Sequence, residues 1–227
     1  MAYTQSEKLR SLANGKHENA TNGILLHSPV LYDLTVWLAM LGKEQAFREK
    51  LLQLARIKSG ERILDVGCGT GTLAIAAKRH VGPSGEVYGL DASPEMVAKA
   101  EKKARKASVD VLFRNGLAEA LPFEDGVFDA AMSTVMLHHL PAKTRQQCAA
   151  EIRRVLKPGG RVLAVDFEGF SEQKRTFLSH FHRPHGHVSK SDIIALLGAA
   201  GLNTVESGPV GVRDLQFVLA QSPTALS

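Results

Sequence analysis

An acidic residue and three closely spaced glycines stand together in the segment Asp65-Val66-Gly67-Cys68-Gly69-Thr70-Gly71. Glycine lets the backbone turn sharply and lets a ligand approach without a clash with a Cβ atom. The segment lies between a predicted strand and a predicted helix, and a helix N-terminus favours a carboxylate or a phosphate. Asp91 ends the next predicted strand, about twenty residues further on, where an acid accepts ribose hydroxyls. The pattern therefore predicts a site for a nucleoside cofactor.

The spacing of the glycines distinguishes between two kinds of cofactor. A dinucleotide loop has the pattern G-x-G-x-x-G, and here Thr72 stands at the position of the third glycine. The pattern is G-x-G-x-G instead, with Asp65 two residues before its first glycine. A carboxylate there would repel a pyrophosphate but attract the ammonium group of S-adenosylmethionine, and NAD has no such group. The segment therefore favours S-adenosylmethionine, and it disfavours a nicotinamide-dependent oxidoreductase.

Histidines, an aspartate and a tyrosine are candidates for assisting methyl transfer. Displacement at a sulfonium needs a base only where the acceptor must lose a proton, as a phenol does. His138 and His139 follow the predicted fourth strand; they would accept that proton or only pack the loop. Asp166 ends the predicted fifth strand, where it would contact the substrate or cap the chain. Tyr32, in a predicted N-terminal helix, would close over the cofactor or pack on the core.

The elements that position these residues follow from the alternation of apolar runs with helical patterns. Seven short apolar segments predict strands, at residues 61–66, 86–90, 109–114, 127–134, 161–166, 204–207 and 215–220. Helical patterns lie between them, at residues 73–80, 94–106, 144–156 and 191–200. This order predicts an α/β fold with a Rossmann-like, doubly wound, seven-stranded sheet that is mostly parallel, with one antiparallel strand near its end.

We predict one core domain with a short N-terminal helical cap. The segments are residues 1–58 for a mobile tail and the cap, residues 59–221 for the cofactor-binding core, and residues 222–227 for a C-terminal tail. An apolar surface of the cap, around Trp37, would suit a hydrophobic acceptor or a transient contact with a membrane surface, although packing on the core explains the same pattern. The sequence leaves open whether the protein is a monomer or a homodimer.

Composition and charge argue against several other classes. The 227 residues are 44% hydrophobic and 22% charged, as in a globular protein, and the formal charge of +5 indicates no nucleic-acid partner by itself. Two cysteines without a CxxC pair, and a polar N-terminus without an apolar signal core, predict a cytoplasmic protein. Residues 180–187 contain four histidines, but their irregular spacing predicts a substrate-facing lid and no metal site.

Taken with further motifs, the glycine segment resembles the class I S-adenosylmethionine-dependent methyltransferases. The resemblance extends over residues 60–220. The other segments that carry it are Leu90-Asp91-Ala92-Ser93, Gly116-Leu117-Ala118-Glu119-Ala120-Leu121-Pro122-Phe123, Phe128-Asp129, Leu137-His138-His139-Leu140 and Leu156-Lys157-Pro158-Gly159-Gly160. Their order is most similar to the subgroup that contains quinone-ring and phospholipid methyltransferases.

The resemblance implies a role in cofactor binding for each matched position. These positions are Asp65, Gly67, Cys68, Gly69, Asp91, Ala92, Leu117, Ala118 and Thr134. The acid and glycines of the loop would line the methionine part, Asp91 would bind the ribose, and the backbone amide of Ala118 would meet the adenine. Many relatives carry Asp at the position of Leu117, so one hydrogen bond to the adenine amino group is missing here.

The function that the resemblance implies is methyl transfer to a small-molecule or lipid-like acceptor, with C- or O-methylation of a quinone or phenol-type ring favoured. Two alternatives stay open. An N-methyltransferase for phospholipid amines would bind anionic vesicles in a salt-dependent manner. A non-catalytic partner protein would bind S-adenosylmethionine without turning it over.

Overall fold

Strands and helices alternate along the chain in a computed structural model that describes residues 44–168, 188–212 and 214–224. The helices are α1 (Glu44–Leu54), α2 (Thr72–Val81), α3 (Pro94–Lys106), α4 (Ala142–Val155) and α5 (Lys190–Ala199), with a short 3₁₀ helix at Leu137–His139. The strands are β1 (Arg62–Val66), β2 (Glu86–Asp91), β3 (Leu112–Asn115), β4 (Phe128–Thr134), β5 (Leu156–Phe167), β6 (Asn203–Pro209) and β7 (Leu215–Gln221). No helix within the described ranges is long and apolar enough to cross a membrane.

One sheet contains all seven strands, in the order β3-β2-β1-β4-β5-β7-β6. Strands β1 to β5 pair in parallel, and β7 runs antiparallel to both β5 and β6. The predicted doubly wound sheet with one antiparallel strand is therefore confirmed. The strand order reverses between β1 and β4, and ligands bind such α/β sheets outside the carboxyl ends of the strands at this switch point.

The two faces of the sheet carry separate apolar clusters because side chains alternate along each strand. In β1, Leu64 and Val66 belong to the cluster that is covered by α4 and α5. Ile63 faces the other cluster, which is covered by α1 and α2. Leu51 of α1 is buried in that second cluster, as the helical spacing of the apolar residues in this helix predicts. Helices thus shield both faces and leave the strand ends free to form a site.

Local capping explains why α3 follows β2 so closely. The hydroxyl of Ser93 accepts a hydrogen bond from the amide of Met96 at 3.2 Å, and Pro94 occupies the first turn. The helix ends at Lys106, as its sequence pattern predicts. This cap fixes the direction in which the chain leaves the end of β2, where Asp91 stands.

Two strands begin more than two residues away from the start that the sequence predicts. Strand β3 begins at Leu112 and not at Val109, because the amide of Val109 still donates to the carbonyl of Ala104 at the end of α3. Strand β5 begins at Leu156, which pairs with Phe128, and not at Arg161. The intervening residues 157–160 form an irregularity in the pairing with β4, so the Lys-Pro-Gly-Gly segment lies inside the strand as well as ending the helix before it.

Candidate active site

Four polar residues predicted from the sequence meet at one edge of the sheet. Asp65 and Asp166 each stand one residue before the end of their strands, β1 and β5. Asp91 ends β2 and Thr134 ends β4. These four strands are parallel, so their carboxyl ends share the edge that contains the switch point. The edge therefore brings together three of the predicted cofactor residues and one of the predicted catalytic residues.

The glycine loop between β1 and α2 follows a left-handed path. Gly67, Gly69 and Gly71 have φ values of 73°, 52° and 75°, a region that glycine enters without steric cost. A Cβ atom on Gly71 would lie 2.6 Å from Phe113 and 2.7 Å from Ala100. The loop is thus packed tightly against β3 and α3 at Gly71, directly before the start of α2.

Asp65 is buried beneath this loop with unused hydrogen-bonding capacity. Asp65 is only 2% exposed, and its Oδ2 atom has no hydrogen-bond partner. Burial and, to a smaller extent, the nearby charge of Asp91 raise the pKa of this carboxyl to about 7, although a hydrogen bond from the amide of Ala74 acts in the opposite direction. A cation placed beside Oδ2 would satisfy the atom and stabilise its charge.

Asp91 holds the glycine loop and the start of α3 together. Its Oδ2 accepts from the amide of Gly69 at 2.8 Å, and its Oδ1 accepts from the amide of Ser93 at 2.9 Å. Burial raises the pKa of this carboxyl, and the two amide hydrogen bonds oppose that shift. Each oxygen retains a second lone pair, so the carboxylate can still accept two hydroxyl groups from a ligand.

Two hydroxyl groups at the end of β4 also lack partners. Within the described part of the chain, the buried side-chain atoms without a hydrogen bond are Oδ2 of Asp65, Oγ of Ser133 and Oγ1 of Thr134. Ser133 is paired with Val66 across the neighbouring strands. Unsatisfied buried polar atoms are rare in folded proteins, and here all of them lie on the two strands that flank the switch point. They mark a place where a polar ligand would complete the structure.

Three other predicted cofactor residues, Ala92, Leu117 and Ala118, follow the carboxyl ends of β2 and β3. Leu117 and Ala118 follow β3 through Gly116, whose amide donates to the carbonyl of Asp91 at 3.1 Å. Ala92 follows Asp91 directly, and its carbonyl accepts from the side-chain amide of Asn115 at 2.9 Å. Asn115 was not singled out from the sequence; its position at the end of a strand is the only signal that could have found it.

Cys68 is a buried member of the glycine loop. Burial raises the pKa of its thiol well above the usual value, and the charges of Asp65 and Asp91 act in the same direction. The thiol is therefore neutral, and it contributes packing rather than reactivity.

His138 and Asp166 form a hydrogen-bonded pair on the other side of the switch point. The Nδ1 atom of His138 lies 2.7 Å from Oδ1 of Asp166, and the backbone amide of His138 donates to Oδ2 at 3.1 Å. Asp166 is 1% exposed, and its two contacts with His138 connect the segment after β4 to the end of β5. A carboxylate on Nδ1 keeps that nitrogen protonated, which leaves Nε2 of His138 as the proton acceptor.

His139 differs from its neighbour although the two rings lie 3.9 Å apart. Burial and, to a smaller extent, the neighbouring His138 lower the pKa of His139 to about 4, although the charge of Asp166 acts in the opposite direction. His139 is therefore a neutral imidazole and a weak base at pH 7. The ring of Phe167, which is 42% exposed, lies 5.8 Å from that of His138 and adds an aromatic surface that the sequence did not single out.

A strained residue connects β4 to the histidines. Val135 has a φ of 55°, although β-branched residues disfavour the left-handed region, at a cost of roughly 1–2 kcal/mol. Its amide donates to the carbonyl of Val165 at 2.7 Å. The next side chain, Met136, lies against the glycine loop, because a Cβ atom on Gly67 would be 2.4 Å from Met136 Cγ. Val135 was missed because a valine after a strand predicts only further strand.

Some predicted residues lie outside the described ranges. They are Tyr32, the apolar cap surface around Trp37 and the histidine-rich residues 180–187. Within the described ranges, no cluster of three or more histidines, cysteines or acids is arranged to hold a metal ion.

Comparison with known proteins agrees with this geometry. A family model described as a methyltransferase domain matches residues 63–160. The chain is 31% identical over 203 residues to a methyltransferase of Synechocystis, covering 86% of this chain and 92% of that protein. It is 38% identical over 136 residues to the demethylmenaquinone methyltransferase of Thermus thermophilus, covering 60% of each protein. The chain thus spans less than two thirds of the length of that relative.

The fold also matches solved structures. A SAM-dependent methyltransferase from Aquifex aeolicus superposes with a TM-score of 0.70 at 24% identity, covering 86% of this chain and 99% of that one. At this identity the match concerns the fold alone.

Proposed function

We propose that this chain, which belongs to the class I S-adenosylmethionine-dependent methyltransferases, methylates a carbon or oxygen atom of a quinol-type ring. The observation that carries the choice of acceptor is the His138–Asp166 pair, because a phenolic hydroxyl must lose its proton as it becomes a nucleophile. The name of the Thermus relative supports the same class of acceptor. Transfer to a neutral amine would need no base before the attack, because the lone pair of its nitrogen is already free.

The residues at the ends of β1 and β2 fit the cofactor. When bound, S-adenosylmethionine supplies a methyl group on a sulfonium whose departure leaves a neutral thioether. Oδ2 of Asp65, which lacks a partner, would accept from the ammonium group, directly or through a water molecule. Asp91 would accept from the ribose hydroxyls while it keeps its hydrogen bond from Gly69. The backbone amide of Ala118 would donate to the adenine, and Leu117 offers no side-chain acceptor for the adenine amino group.

The proposed role of His138 is to remove the hydroxyl proton of the acceptor. Nε2 would take the proton, and the imidazolium that forms would be stabilised by Asp166 through the 2.7 Å contact at Nδ1. Loss of the proton increases the electron density on the oxygen and on the neighbouring ring carbon, either of which can attack the methyl group while the bond from that group to the sulfonium breaks. After attack by carbon, the ring regains its aromaticity when that carbon loses its own proton to water. Phe167, half-exposed beside His138, would provide an apolar face for the ring.

Cofactor affinity should depend on pH through Asp65. With a pKa of about 7 in the free protein, the carboxyl is mostly protonated at pH 6, so that binding of an ammonium group must first release a proton. We expect the Kd for S-adenosylmethionine to rise by up to about tenfold for each pH unit below 7. Above about pH 8 the α-amino group of the cofactor itself loses its proton, and affinity should fall again.

Calorimetric titration between pH 5.5 and 8.5 measures this dependence. Titrations in two buffers of different ionisation enthalpy should show that a proton is released on binding below pH 7. The matched control is Asp65→Asn, which should bind more weakly and show no dependence between pH 5.5 and 7. A wild-type Kd that stays constant across that interval would refute the contact with Asp65.

The proposed function is tested by transfer of a labelled methyl group from S-adenosylmethionine. The acceptors compared are a 1,4-naphthoquinol with an unsubstituted ring carbon, kept reduced, and phosphatidylethanolamine in vesicles. We expect label in the naphthoquinol and none in the lipid. Label in the lipid alone would show that the acceptor is an amine, and binding of the cofactor without transfer to either would contradict the proposal.

A further inference from the structure

We infer that Val135 is a positioning residue: its left-handed backbone conformation places Met136 on the glycine loop and His138 on Asp166. The catalytic consequence of this inference rests on the proposed function. Its structural part does not, since it concerns contacts between residues of the chain itself.

The chain reverses within four residues after β4. Val135 has the φ of 55°, Met136 has φ −125° and ψ −37°, and the 3₁₀ helix begins at Leu137. An extended residue in place of Val135 would continue the strand and would carry His138 away from Asp166. A left-handed residue turns the chain sharply, as single glycines do elsewhere in proteins.

Three contacts hold the reversed segment. The amide of Val135 donates to Val165, and the amide and the ring of His138 both contact Asp166, so the segment is bound to two consecutive residues of β5. The third pair of residues in contact is Met136 and Gly67, where the lack of a Cβ atom on the glycine makes room for the methionine. One turn therefore joins the cofactor loop of β1 to the histidine–aspartate pair of β4 and β5.

Packing maintains Val135 in its unfavourable conformation. Its side chain is partly buried against the apolar cluster that includes Leu163 and Val165. Strained residues persist only where the surrounding structure determines them, and they concentrate at functional sites. Small displacements of catalytic groups lower reaction rates severely, so a turn that places His138 against Asp166 should affect the rate of the proposed reaction.

The test separates backbone conformation from side-chain packing. Glycine and asparagine adopt the left-handed conformation more readily than alanine does, yet neither restores the apolar side chain. If the conformation positions the site, Val135→Ala should lower kcat by about tenfold or more, whereas Val135→Gly and Val135→Asn should lower it by only about threefold. Val135→Gly should also unfold about 2–4 °C above Val135→Ala. If kcat instead follows apolar side-chain size, so that the alanine variant is more active than the asparagine variant, the inference is wrong.

A second readout is independent of methyl transfer. The proton on Nδ1 of His138 is hydrogen-bonded to Asp166, and in proton NMR its resonance should lie at low field and exchange slowly with water. We expect the resonance to remain in Val135→Gly and Val135→Asn and to be lost or to exchange rapidly in Val135→Ala. If the wild-type protein methylates no quinol, the proposed function fails while this spectrum still tests the turn. Equal resonances in all three variants would overturn the inference.

Discussion

Replacing His138 with glutamine should lower kcat for quinol methylation by about 10²–10⁴-fold, while the Kd for S-adenosylmethionine changes little. The size of the loss is that of a missing general base, and glutamine preserves much of the shape of the histidine. Asp65 and Asp91, the two acids proposed to bind the cofactor, lie on β1 and β2, on the other side of the switch point, so the contacts proposed for them do not involve the imidazole. Single-turnover rates and calorimetric binding measure the two quantities separately.

Three further variants distinguish a base from a packing residue. His139→Gln should lower kcat far less, because His139 is neutral and weakly basic. Among the described residues, the histidine of this pair that hydrogen-bonds to Asp166 is His138. Asp166→Asn should lower kcat by at least about tenfold, since an amide at this position no longer fixes the protonated Nδ1. His138→Gly should recover part of its rate when imidazole is added. A His138→Gln enzyme with nearly full kcat would show that the acceptor needs no base.

Replacing Asp91 with alanine should weaken cofactor binding by roughly 1.5–3 kcal/mol, which corresponds to a Kd that is about ten to 150 times higher. Two charge-assisted hydrogen bonds to the ribose would be lost. The amides of Gly69 and Ser93 would also lose their acceptor, so the glycine loop would be less well held. This second effect places the expected loss at the upper end of the range.

Calorimetry of S-adenosylmethionine and S-adenosylhomocysteine measures the loss. Both ligands contain the ribose, so both should weaken to the same extent. Asp110→Ala is the matched control because it makes the same change in net charge at an exposed site in the loop before β3. A folded Asp91→Ala variant that binds both ligands as tightly as Asp110→Ala does would show that Asp91 does not bind the cofactor.

Local signals account for the parts of the fold that could be predicted from the sequence. The ends of α3 follow from Ser93, Pro94 and the basic residues of its last turn. The order of strands and helices, together with the handedness of the crossovers, leaves few topologies, so the seven-stranded sheet was predicted correctly. The glycine loop and Asp91 come together for the same reason, since each ends a parallel strand.

Contacts between distant segments account for what could not be predicted. His138 and Asp166 are 28 residues apart, and only the register of β4 and β5 shows that they bond to each other. The left-handed turn at Val135 contradicts the local preference of valine, so packing alone determines it. The irregular start of β5 likewise depends on pairing with Phe128 and not on the Lys-Pro-Gly-Gly sequence that precedes Arg161.

The division of the site at the switch point has a consequence for how this scaffold can be altered. Asp65 and Asp91 belong to one half of the sheet, whereas Asp166 and Phe167 belong to the other. We therefore expect exchanges at Phe167, the proposed acceptor face, to change the preference for acceptors without disturbing the contacts proposed for Asp65 and Asp91, and their effects should add to those of mutations at Asp91. Such separation would make the proposed acceptor side of the protein a suitable starting point for directed evolution toward new ring systems.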